Sequence, residues 1–221
     1  YQLYEGEFYR VPVTKGEHVV APLKVNYIEL LNVVNDADFD LLEAANVIGR
    51  DTALTISLLQ MVNRMTVNAG ITTIRHAAAM LGQKELKKWI NTAVANKLYA
   101  DKPSEITRLS LLRAKFAESL AGAFGLGDKS EELFLMGLFS VLDVILEKSM
   151  EEALDMVMVG DEIRDALTKG QGPYATLYEF MEQYENANWQ EVSRQLLLVD
   201  VSIEYVHDAY VNALKWYKQL V

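Results

Sequence analysis

The chain has 221 residues, 51% of them apolar, and 21 basic against 31 acidic side chains give it a net charge of −10. That length and apolar content suffice for a sizeable buried core, and the negative field excludes non-specific binding to a nucleic-acid backbone. The absence of cysteine excludes disulfides, thiolate zinc sites and a cysteine nucleophile.

No apolar run is long enough to span a bilayer, and the first residues lack the pattern of a signal peptide. Neither membrane nor nucleic acid is an expected partner, and a cytoplasmic location is the default expectation. Lys84, Lys87, Lys88 and Lys97 form the one local basic group singled out, read as a solvated helix face.

Residues 1–13 differ in pattern from the remainder of the chain. Tyr4, Phe8, Tyr9, Val11 and Val13 mix aromatic and β-branched side chains between Gly6 and Pro12, which predicts extended chain. Residues 14–23 read as a linker. From Lys24 onward the period is helical, and residues 24–221 are expected to form one all-α domain with a continuous core. Tyr27, Ile28, Leu30, Leu31 and Val34 recur at helix spacing. Asp38 is the predicted cap of a short helix ending at Gly49, and Asp51 that of the next. Thr73 precedes a helix from Ile74 to Leu81, closed by Gly82, and a longer one runs from about Lys84 to Tyr99.

Ser104 opens an amphipathic segment to Phe124, and Gly125 and Gly127 break it. Ser130, with Glu131 and Glu132 complementing the dipole of the first turn, starts a very apolar run. Leu133 to Leu146 reads as the buried central helix of a bundle. Ser149 caps a further short helix, Asp161 to Leu167 forms another, and Tyr174–Tyr184, Trp189–Leu198 and Ser202–Leu220 complete the chain. Met150, Met156 and Met158 read as adaptable core filler.

No pattern of catalytic chemistry is expected from the sequence. The sequence Gly170–Gln171–Gly172–Pro173 is a turn without the strand or lysine of a phosphate loop. The acids Glu151, Glu152, Asp161 and Glu162 are helix-start residues. His18 and His76 are scattered. The literal His-Asp pair, His207–Asp208, is followed by no further Asp, Glu or His and reads as a surface pair.

Two segments carry a family resemblance. IGRDTALTISLLQMVNRM followed by ITTIRHAAAMLG places Asp51, Leu58, Leu59, Val62, Asn63, Ile71, Ile74, Ala77, Leu81 and Gly82 in the order and spacing of an HDOD domain. ELFLMGLFSVLD, from Glu132 to Asp143 and containing Gly137, resembles the family's helix written A-F-L-A-G-L-L-H-D-I-G. The first residues, YQLYEGEFYRVP, resemble the last strand and exit of an EAL domain, with Gly6, Phe8 and Pro12 matching and Glu5 where Gln is usual.

The resemblance implies a degenerate HD-domain-like helical bundle with a short extended N-terminal segment. It divides the chain into the end of an EAL domain (residues 1–13), a linker (14–23) and an HDOD domain (24–221). Asp51, Asn63, Ile74, Gly82 and Gly137 are its structural motif positions.

An HD-type hydrolase ligates metal through an isolated His, a His-Asp pair and a later Asp. The resemblance lays these on Leu109 and on Ser140–Val141. A Leu and a Val cannot ligate, a Ser hydroxyl is a poor ligand, and Asp143 alone is no site. No catalytic residue, cofactor or metal is therefore expected, and Leu109, Phe139 and Leu142 should fill a collapsed pocket.

The implied role is a non-catalytic regulatory module. It would act through a protein partner beside an upstream EAL domain of the kind that cleaves or senses cyclic di-GMP. A homodimer is compatible with the pattern. The alternatives are a metal-dependent hydrolase with an atypical site and a pure dimerisation scaffold.

Overall fold

The computed structural model describes residues 22–65, 70–100 and 104–220. The segments expected to be the end of an EAL domain (1–13) and most of the linker lie outside the described residues. Regular structure among the described residues is entirely helical, as the sequence period predicts. The helices gather into two compact units, one running from residue 22 to 98 with 156–158, the other from 99 to 155 and 159 to 220. The sequence expects one continuous core over 24–221, where the contacts group into these two units. No Pro/Gly-rich linker marks the junction at Leu98–Tyr99, so the division is not legible in the composition.

The first unit holds α1 (Pro22–Asn35), α2 (Leu41–Ile48), α3 (Thr52–Met65) and α4 (Ile74–Leu98). The first helix begins at Pro22, inside the expected linker, where a missing N–H costs nothing because a first-turn donor has no helical partner. Helix α4 packs against each of the other three. Leu31, Val34, Ile48, Leu58, Leu86, Ile90 and Val94 are buried between them.

Gly82 interrupts α4 with φ 72° and ψ 173°, a backbone region open essentially to glycine, so Ile74–Leu81 and the remainder are separate helical pieces. The sequence places that break correctly. The cap of α2 is Asp40 rather than Asp38: Asp40 accepts from the Leu42 N–H, while the Asp38 N–H is taken up by Asp36. Residues 156–158 join this unit through Asn32, whose amide donates to the Met156 carbonyl (3.1 Å) and accepts from the Met158 N–H (2.7 Å). The three methionines are not core filler, since Met158 is exposed and Met150 and Met156 are half-buried.

The second unit comprises α5 (Ser104–Leu120), a 3₁₀ turn (Gly127–Lys129), α6 (Ser130–Phe139), α7 (Leu142–Leu146), α8 (Met150–Asp155), α9 (Asp161–Lys169), α10 (Ala175–Glu185), α11 (Trp189–Val199) and α12 (Ile203–Leu220). Helices α5 and α6 form its centre, and α10 and α12 pack on α5. Helix α5 stops at Leu120 rather than Phe124, because Leu126 N–H turns back to the Ala121 carbonyl and Gly125 adopts φ 72°. Ser149 and Glu152 form a reciprocal capping box at α8. The expected single helix from Leu133 to Leu146 is broken at Ser140–Val141.

Candidate functional site

The break between α6 and α7 is where the site lies, and its chemistry starts from carbonyls that a helix end leaves without partners. The Ser140 hydroxyl turns back onto the Gly137 carbonyl at 2.8 Å. The Leu138 carbonyl receives two hydroxyls from outside its helix, Tyr99 Oη at 3.0 Å and Ser110 Oγ at 2.7 Å. All three hydroxyl-bearing residues are buried, so the pairings hold polar groups that would otherwise be costly. Burial pushes the Tyr99 phenol pKa upward, against a smaller opposing effect of the Ser110 hydrogen bond, and Tyr99 stays a neutral hydroxyl.

This arrangement needs α5 and α6 to touch backbone to backbone. A Cβ on Gly137 would come within 2.5 Å of the Arg113 carbonyl and the Ala114 nitrogen. Only glycine fits, which accounts for the motif position.

One turn along α5 from Ser110 stands Arg113, only 2% exposed. Its Nη1 lies 3.2 Å from Ser140 Oγ. Its Nε lies 2.9 and 3.0 Å from the two carboxylate oxygens of Glu185, and its Nη2 donates to Oε2 at 2.5 Å. The Tyr178 ring lies 5.9 Å from the guanidinium carbon. Burial works against the Arg113 charge, but the Glu185 hydrogen bonds and charge outweigh it and the pKa is raised, so the guanidinium is fixed as a cation.

Of the positions set against metal ligands, one touches this cation. Ser140 is bonded to it, and Val141 is 1% exposed between α6 and α7. Leu109 is only half-buried, while Ser110 beside it is buried, and Phe139 and Leu142 are buried. Asp143 is half-buried. His207, Asp208 and His76 are exposed, and His76 is remote in sequence from the other two. Among the described residues no group of three or more His, Asp or Glu is placed to hold a metal ion.

Arg113 escaped the sequence reading, although a signal existed. Ile106, Ser110, Arg113, Ala117 and Leu120 recur at helical spacing and are all buried, so Arg113 stands on the core stripe of α5.

The remaining motif positions shape the first unit. Asp51 caps α3, accepting from the Leu54 N–H at 2.9 Å, and its other oxygen takes the Tyr27 hydroxyl at 3.0 Å. Tyr27, Arg50 and Asp51 border an open cleft of about 240 Å³ floored by Leu30 and Leu54. Asn63 pairs with the backbone of Ile71 in both directions, each bond 2.8 Å, and so ties Ile71, just ahead of α4, to α3. The Ile74 side chain covers Gly49 at the end of α2.

A model of the HDOD domain matches residues 20–165, a span that holds Asp51, Asn63, Ile74, Gly82, Arg113, Gly137 and Ser140. The chain belongs to the HDOD family. Among curated proteins it is 31% identical over 98% of its length to a Vibrio cholerae protein named cyclic di-GMP phosphodiesterase CdgJ, of which it covers 50%. It is 28% identical over its whole length to the uncharacterised Bacillus subtilis protein YuxH, covering 54% of that chain. The chain thus spans about half the length of both curated relatives. No solved structure gives a significant match. Helices α10 to α12, with Glu185, lie beyond the matched HDOD span.

Proposed function

We propose that this HDOD chain is a non-catalytic regulatory module of cyclic di-GMP signalling that acts by binding protein. The observation that carries this reading is the buried Arg113 guanidinium, seated on Ser140 Oγ and neutralised by Glu185. A divalent metal at that place would compete with the guanidinium already hydrogen-bonded to Ser140 Oγ. It would find Leu109 and Val141 where ligands are required, and a cation that sheds water without gaining ligands is strongly disfavoured. The related Vibrio protein carries a cyclic di-GMP phosphodiesterase name, and both relatives extend to about twice the length of this chain. With the EAL-like pattern of residues 1–13, this supports a parent protein in which an EAL domain precedes the HDOD module. Cyclic di-GMP chemistry would then belong to that domain and response to a partner to this one, in the cytoplasm.

The test is direct. The purified chain, incubated with manganese, iron or zinc and desalted, should carry less than stoichiometric metal and release no product from cyclic di-GMP. Stoichiometric metal together with turnover that falls on replacing Ser140 would overturn the reading in favour of a hydrolase with an atypical site.

A further inference from the structure

Arg113 lies inside the span matched by the HDOD model and Glu185 outside it, 72 residues along the chain. The pair is asymmetric: the Arg113 side chain is 2% exposed and that of Glu185 19%. Glu185 is the last residue of α10, and the chain then turns through Ala187, at φ 54°, into α11. The same helix supplies the Tyr178 ring near the guanidinium. Helix α10 therefore presents both a carboxylate fork and an aromatic face to one buried cation on α5, while Ser140 at the end of α6 takes a third nitrogen.

Apolar contacts also hold α10. Phe180 meets Phe124 at 5.1 Å between ring centres, and Tyr184 meets Phe116 at 5.4 Å. Such contacts tolerate sliding, whereas a two-pronged carboxylate–guanidinium pair has one register. A buried ion pair adds little over apolar packing, but losing one partner strands a charge and is severely disruptive.

We infer that Arg113 and Glu185 form an electrostatic latch that sets the register of α10, and the α10–α11 corner with it, on the α5–α6 pair. This rests on the regulatory reading only for its purpose; the latch itself is a statement about helix docking.

Amide hydrogen exchange on the full chain tests it. In Glu185→Gln, protection over 175–185 should fall by at least about tenfold, since the stranded guanidinium opposes docking, while amides of α6 stay within about threefold of the parent. The double variant Arg113→Met with Glu185→Leu should restore α10 protection to nearer the parent than either single change, also if a single variant proves too unstable to study. In Arg113→Ala, millimolar methylguanidinium should restore protection of α10 and methylammonium should not, because only the former reproduces the fork. Unchanged α10 protection in Glu185→Gln, an equal loss across all helices, additive effects in the double variant, or equal rescue by both cations would each overturn the latch. None of these readouts depends on metal or nucleotide, so a failed latch is separable from a failed assignment of function.

Discussion

Gly137 shows how one missing methyl fixes a helix crossing. Its Cβ would press on the backbone of Arg113 and Ala114, neither of which can rotate away. Gly137→Ala should therefore lower stability by ~2–3 kcal/mol, the usual cost of overpacking a rigid contact, read as a reduced urea midpoint with an unchanged slope. Val141 is the complementary case. Replacing it with Asp recreates one acid of a His-Asp pair at a position 1% exposed, with no ligand partner. Val141→Asp should cost ~2–4 kcal/mol, and added manganese should not recover the loss. A recovery of the midpoint by manganese would show that the old geometry is still able to take metal.

At the scale of elements, caps and breaks decide where each helix begins and ends. Asp51 starts α3, and its pKa reflects that task. Burial tends to raise it, but the Leu54 N–H, the Tyr27 hydroxyl, the Ala53 N–H and the charge of Lys97 together outweigh burial, and the carboxyl is held below its ordinary value. The folded state thus favours the carboxylate. Its stabilising effect is complete above the unfolded pKa of about 3.9 and is lost as pH falls through the lower folded value. Asp51→Ala should cost about 1 kcal/mol near neutral pH, a typical cap, and the gap between variant and parent should close below about pH 4. Urea titrations at several pH values check this; a gap that widens in acid would contradict the sign. Most element boundaries were readable because caps and glycines act on neighbours a few residues away. Gly82 and the Ser149–Glu152 box are of that kind. The break at Ser140 was not readable, because the hydroxyls that donate to the freed Leu138 carbonyl come from Tyr99 and Ser110, remote along the chain.

For the whole molecule, the balance between cation and metal is the question with a bulk readout. A structural ion present at 100 times its dissociation constant adds about 2.7 kcal/mol, and for a chain of this size each kcal/mol moves the melting temperature by about 2–4 °C. Exhaustive treatment with a chelator should leave the melting temperature of this chain within about 1 °C, since Arg113 already supplies the positive charge. A fall of more than ~5 °C, reversed by one divalent metal, would place a structural ion in the protein. No helix among the described residues is long and apolar enough to cross a membrane.

The sequence by itself determined the all-α class and most helix ends, and its resemblance to the HDOD family pointed to Asp51, Asn63, Ile74, Gly82 and Gly137. The class and the helix ends rest on periodicity and capping, which are local properties written in consecutive residues. The resemblance set Leu109, Ser140 and Val141 where an HD-type hydrolase has ligands, and their side chains led to the expectation of no metal there. Only the tertiary structure decided that the helices group into two compact units, that Ser110 rather than Leu109 is buried, and that Arg113 bonds both Ser140 and Glu185. The stripe on α5 could announce that Arg113 is buried. It could not name Glu185, because the partner of a buried charge is selected by the packing of α10 on α5, which brings together residues that no local pattern connects.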